Sequence, residues 1–186
     1  EGTKVNNTLS AWLIMARIDL LQNDEHKDKF PKRAAQIQVA FEELRKFDKK
    51  ELATYILVQV GRNLAQQDKP ETNAVAIEWF DAVLERGSTD HYPLALMGKA
   101  RILAASGDPS TFNDAIDAFD KVIRDLKDKP EYVEEAMLAK GRLYFNRQKW
   151  KEAAQVFFEM QSNPAFTRNR PEVFAKLARS YEEQGK

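Results

Sequence analysis

Cysteine is absent from the 186 residues, and histidine occurs only twice, at His26 and His91. The first absence excludes disulfides, thiolate metal sites and cysteine nucleophiles. The second leaves little room for imidazole chemistry. His26 sits in Asp24-Glu25-His26-Lys27, without the helical spacing of a zinc protease site. Both histidines fall in predicted loops. No Gly-x-Gly-x-x-Gly, no Gly-x-x-x-x-Gly-Lys-Ser/Thr and no Gly-x-Ser-x-Gly occurs, so neither a phosphate-cradling loop nor a nucleophile elbow is expected. Charge of one sign is also lacking. Lys plus Arg and Asp plus Glu both number 29, whereas a nucleic-acid binder carries surplus cations against phosphate. The apolar runs stop well short of the roughly 18 residues that would cross a bilayer. Ala11 to Ile18 is interrupted by Arg17 and followed by Asp19, which reads as a helix and not as a signal peptide. These absences exclude metal, cofactor, nucleic-acid and membrane-insertion roles from the expectations, and enzymatic activity with them.

What remains is a globular balance of 43% hydrophobic and 31% charged residues with apolar side chains three and four apart, the period of a helix. Trp12, Met15, Ala16 and Ile18 to Leu21 form one such stripe, and Ile37, Phe41 and Leu44 form another. No run alternates with the period of a strand. Pro31, Pro70, Pro93, Pro109, Pro130, Pro164 and Pro171 all fall between the periodic stretches. Proline is tolerated in a first helical turn, where its missing N–H is not needed. Acids follow several of them, as in Pro70-Glu71, Pro130-Glu131 and Pro171-Glu172, where they complement the helix dipole. The pattern predicts nine helices over 8–22, 31–47, 50–67, 71–86, 92–106, 111–127, 131–147, 150–161 and 171–184, joined by short connections that favour antiparallel hairpins. Thr8 is expected to cap the first. Asn6-Asn7-Thr8 also fits a glycosylation sequon, with the cap the better reading.

The helices repeat. An Ala or Ile four residues before a Phe occurs at Ile37/Phe41, Ala76/Phe80, Ala115/Phe119 and Ala153/Phe157, and the phenylalanines lie 39, 39 and 38 residues apart. Each is preceded by a second series: Trp12-x2-Met15-Ala16, Leu57-x2-Val60-Gly61, Leu94-x2-Met97-Gly98 and Met137-x2-Lys140-Gly141; Phe174-x2-Leu177-Ala178 closes that series. The reason for such a pattern is close packing: the small residue admits the partner helix and the Phe fills the gap between hairpins. On these residues the chain resembles the tetratricopeptide repeat family. Gly141-x2-Tyr144, Ala153-x3-Phe157 and Pro164 match best, followed by Phe174-x2-Leu177-Ala178-x2-Tyr181. It departs where Lys140 replaces Leu, where Asp19, Leu64 and Arg101 replace the tyrosine, and in the interval from small residue to Phe, which is 16 in the fourth unit but 25, 19 and 21 in the first three.

The resemblance implies an all-α, right-handed α-solenoid of antiparallel hairpins, about four and a half repeats in one array. Its units run roughly over 8–47, 50–88, 92–128, 131–164 and an incomplete 171–186. The chain opens on Glu1 and its fifth unit has no second helix, so a segment of a longer protein is expected. The resemblance also implies a protein-interaction scaffold that binds a peptide or protein in a concave groove. The residue after each small residue is a cation: Arg17, Arg62, Lys99, Arg142 and Arg179. Together with Tyr55, Tyr92 and Phe145 they are the candidate groove, suited to an acidic peptide because Arg offers a bidentate fork. The competing reading makes the cations a mixed surface with some internal ion pairs. Nearby positions where the family's carboxylate sites are polar are apolar here (Leu13, Val58, Ala95, Leu138). Trp12, Trp79 and Trp150 read as core before partner anchors, and Glu134/Glu135 and Glu182/Glu183 as solvated faces. Phe158, Phe174 and Tyr181 are candidates for self-association. The alternative function is a structural spacer or assembly segment of a larger envelope complex that uses an open C-terminal face. A bacterial periplasmic or envelope location rests on the resemblance alone.

Overall fold

In a computed structural model of the chain, residues 2–23, 32–87 and 90–185 are described, with side chains from residue 6 onward. His26 and Pro31 lie outside them. Among the described residues the fold is all-helical, with no strand and nine α-helices: α1 Gly2–Gln22, α2 Arg33–Arg45, α3 Thr54–Ala65, α4 Pro70–Leu84, α5 Tyr92–Ala105, α6 Phe112–Asp125, α7 Pro130–Asn146, α8 Trp150–Ser162 and α9 Arg170–Glu183. Two 3-10 turns, Lys49–Glu51 and Pro109–Thr111, precede α3 and α6. The helix order agrees with the periodic reading, and the boundaries differ where local capping decides. Asp48 accepts from the N–H of Lys50, and Asp108 from that of Ser110. Each aspartate closes a 3-10 turn; the first replaces the opening turn of the helix expected over 50–67, and the second lies in the connection before the helix expected over 111–127. Pro70, Pro130 and Pro171 occupy first helical turns, as expected.

Thr8 is a correction. It lies inside α1, which starts at Gly2. Its hydroxyl oxygen accepts from the Ala53 N–H at 3.2 Å. Ala53 is the N-cap residue of α3, so Thr8 satisfies a backbone donor at the start of another helix.

The chain forms two compact units, Glu1–Ala95 and Leu96–Lys186. In the first, α1 packs on α2 and on α3, and α3 packs on α4. Its core joins Ala11, Met15, Ile18 and Leu21 of α1 to Phe41 and Leu44 of α2, Leu57 and Val60 of α3, and Trp79, Phe80 and Val83 of α4, all buried. In the second, α7 packs on α6 and α8, and α9 packs on α8 and touches α7. Met137, Phe157, Met160, Phe166, Val173 and Leu177 form its centre.

The small-residue rule has a direct geometric basis in both units. A Cβ built on Gly61 would sit 2.7 Å from the Phe80 ring, and one on Gly141 would sit 2.6 Å from the Phe157 ring. Glycine is therefore the residue that lets α4 seat on α3 and α8 seat on α7. Phe80, Phe119 and Phe157 are fully buried and Phe41 is nearly so.

Candidate interaction surface

The five cations of the repeat register do not share one environment. Arg17 on α1 pairs with Glu43 of α2 at 3.3 Å and reaches the Gln36 carbonyl at 3.5 Å. Lys99 on α5 is half-buried and engaged. Arg142 on α7 forms a two-point contact with Glu172 of α9: Nε donates to Oε1 at 2.7 Å and Nη2 to Oε2 at 2.5 Å. This hydrogen-bonded pairing lowers the Glu172 carboxyl below its ordinary value and raises the Arg142 guanidinium. Arg179 bridges to Glu182 and Glu183 of its own helix. Arg62 on α3 is exposed and, among the described residues, has no ion pair or side-chain hydrogen bond.

Several of these bonds join helices that share the same hairpin position. Asn63 of α3 donates to Asp19 of α1 at 3.1 Å. Arg101 of α5 pairs with Glu135 of α7, and Arg142 of α7 with Glu172 of α9. These bonds brace neighbouring helices, and the last of them occupies the register cation Arg142.

Around Arg62 the helix offers a coherent polar face. Tyr55, Gln59, Arg62 and Gln66 are all exposed. Spacings of four, three and four place them on one stripe of α3 and its C-cap residue Gln66. The opposite stripe, with Leu57, Val60, Gly61 and Leu64, is buried. The exposed stripe carries a phenol, two amides and a guanidinium, with no acid among them. Gln59 was missed in the sequence, although its spacing from Tyr55 and Arg62 was the signal that could have found it. Tyr92 is half-buried and engaged.

Phe145 belongs to the packing of the second unit. Its ring lies 5.1 Å from Trp150 and 6.5 Å from Phe157, both edge-on, and the Lys176 ammonium sits 4.2 Å over it. Tyr144 meets Phe112 edge-on at 5.8 Å, and burial pushes its phenol pKa up.

Two expectations about other side chains need correction. Trp12 is 49% exposed, whereas Trp79 is buried as expected. A different stripe of α1, the one carrying Ala11, Met15 and Ile18, is buried, and Ala16 is exposed as well. Glu134 is buried and is no solvated face: its Oε1 accepts from the Arg168 N–H at 2.9 Å, which anchors the loop between α8 and α9. Ala178, the small residue of the fifth unit, is exposed. Phe158 points away from its buried neighbour Phe157 and is 53% exposed, in line with the expectation that it faces another side.

Among the described residues no group of His, Cys, Asp and Glu is arranged to hold a metal ion, and no helix is long and apolar enough to cross a membrane. His91 lies before α5, with its Nδ1 3.4 Å from the Thr54 hydroxyl. Compared with known proteins, the chain matches no family model, no curated protein and no solved structure.

Proposed function

We propose that the chain is a non-enzymatic protein-interaction module of tetratricopeptide type that binds a peptide or protein segment on the first helices of its hairpins. The observation that carries this reading is the α3 stripe Tyr55–Gln59–Arg62–Gln66, which is exposed and free of acids. A phenol, two amides and an unpaired guanidinium on one rigid helix supply aromatic contact area and hydrogen bonds to a peptide backbone or carboxylate. On α3 the exposed aromatic is Tyr55, 40% exposed. Of the ten large hydrophobic residues exposed among the described residues, eight lie on α1, α3, α5 and α9. Four of these are on α1 and two on α9, with one each on α3 and α5. Arg17 and Arg142 are held by acids of neighbouring helices and Arg179 by acids of its own, so they contribute less to recognition.

The test is affinity capture with the wild type and a Tyr55→Ser/Arg62→Glu variant, both checked for helicity by circular dichroism. Neither residue is buried, so the variant retains the fold. A partner held by the wild type and lost by the variant supports the reading. Equal retention by both moves recognition off α3.

A second reading, an assembly segment of a larger complex, has its own observation. The α9 stripe Phe174–Ala178–Tyr181 is exposed and apolar, and so is the α1 stripe around Trp12. Light scattering over a range of concentrations tests for self-association through them.

A further inference from the structure

Two hydrogen bonds fix how α1 and α3 lie together. Thr8 of α1 accepts from the Ala53 N–H, and Asp19 of α1 from the Asn63 amide. Both bonds advance along the chain together, so the two helices run side by side and parallel. Asp19 marks the flank of α1 toward α3, and Asn63 the flank of α3 toward α1. Leu9, Trp12, Leu13, Ala16 and Leu20 form one exposed stripe of α1. It lies one way round from the Asp19 flank, while the Tyr55–Gln66 stripe lies the other way round from the Asn63 flank. In parallel helices this turns both stripes to the same side of the pair. Trp12 shares the flank of Thr8 and Asp19, at spacings of four and seven, and Gln59 precedes Asn63 by four, so these two border the seam between the stripes. α1 and α4 pack on either side of α3, which makes the seam a lateral face of the unit.

The seam has two unlike walls. The α1 stripe is apolar and uncharged, whereas the α3 stripe is polar and carries Arg62, which has no ion pair among the described residues. Neither stripe contains an acid. We propose that the seam seats an amphipathic helix of a partner protein, its apolar stripe against α1 and an Asp or Glu on its flank paired with Arg62. Charge complementarity sets the acid, because one unpaired guanidinium borders an apolar wall. The apolar wall sets the helix. An extended segment laid along α1 would leave backbone N–H and C=O groups without partners there, while a helix satisfies its own. Leu9 to Leu20 spans about 16 Å, or about three helical turns. The connection Asp24 to Phe30 has a single apolar residue and cannot supply such a stripe. The inference rests on the α3 reading and adds α1 as the apolar half of the site.

The probe is a displayed library of random peptides of about 16 residues, long enough as helices to cover the seam, selected against the whole chain. Enriched peptides are expected to carry apolar residues three and four apart with an acid beside them, and to gain helical circular dichroism on binding. Leu13→Glu and Arg62→Glu in the protein are each expected to weaken binding at least about tenfold. Both residues are exposed, and the circular dichroism of each variant checks the fold. If Leu13→Glu disturbs it, Leu9→Glu on the same stripe takes its place. Peptides lost with Arg62→Glu but held by Leu13→Glu would overturn the inference and leave the α3 reading standing. Loss with Leu13→Glu alone would overturn the pairing with Arg62. If no enriched peptide distinguishes the wild type from either variant, the inference and the α3 reading both fall. A concentration-dependent dimer in light scattering that Leu13→Glu abolishes would make the occupant a second copy and overturn the partner helix.

Discussion

The first helix of the first unit and those of the second and fourth carry the same written motif and use it differently. In α3 and α7 the apolar-x2-x-small motif faces the following helix, and glycine lets a phenylalanine ring seat directly on the backbone. In α1 the motif Trp12-x2-Met15-Ala16 splits: Met15 is buried while Trp12 and Ala16 face outward. The interval between motif and phenylalanine separates the cases, at 19 and 16 residues for α3 and α7 but 25 for α1. The motif therefore marks a helix that can accept a neighbour, and in α1 a different stripe, with Ala11, Met15 and Ile18, is the buried one. α1 is apolar on both sides, and a helix of that kind normally buries both.

This contrast can be broken or sharpened by substitution. The largest effect is expected at the filled end of the contact. Phe157→Ala should cost about 3–5 kcal/mol, as truncation of a fully buried aromatic does, read as a lower urea midpoint at unchanged slope. Phe80→Ala should behave alike in the first unit. At the small end, Gly141→Ala should cost about 1–3 kcal/mol, because the new Cβ meets the Phe157 ring and the core must shift. If Gly141→Ala is neutral, the close approach is not what selects glycine there. The same kind of enlargement at the uncovered register positions, Ala16→Leu or Ala178→Leu, should stay within about 0.5 kcal/mol of the wild type, as exposed sites do. A large loss at Ala16 would mean that α2 covers the motif after all.

The braces between helices are a smaller matter. Arg142 and Glu172 are both substantially exposed, so Glu172→Gln should cost at most about 1 kcal/mol near neutral pH. Its pH dependence has a defined sign. The Glu172 carboxyl is held below its ordinary value of 4.5 chiefly by the hydrogen bonds from Arg142. A depressed folded-state value contributes stability above the unfolded value and loses it as pH falls through the folded one. The gap between wild type and Glu172→Gln in thermal melts should therefore be full above pH 4.5 and close below it. A gap that widens on acidification would contradict the assignment.

The helix order and the buried phenylalanine series were legible because both follow from a 3.6-residue period and a repeat near 39 residues. The close approach at Gly61 and Gly141 was legible for the same reason. Other features depended on partners distant in the chain. Glu134 looks like any helix acid until the Arg168 N–H, 34 residues on, is brought to it. Thr8 resembles a cap until the N–H of Ala53 is seen to need its oxygen. The cation series was visible as a column, but only the placement of Glu43 and Glu172 separates the braced arginines from Arg62. On α1 periodicity could not choose between two apolar stripes, so Trp12 was assigned to the wrong side.

On the proposed reading, the exposed face of α3 meets the partner. The most direct measurement is site-specific photocrosslinking in cell lysate, with a photoreactive residue at Gln59 and a control at Gln155, which is exposed on α8. The account predicts an adduct of defined mass from Gln59 that Arg62→Glu suppresses, and none from Gln155. An adduct from Gln155 with none from Gln59 would contradict it and place recognition on the second helices.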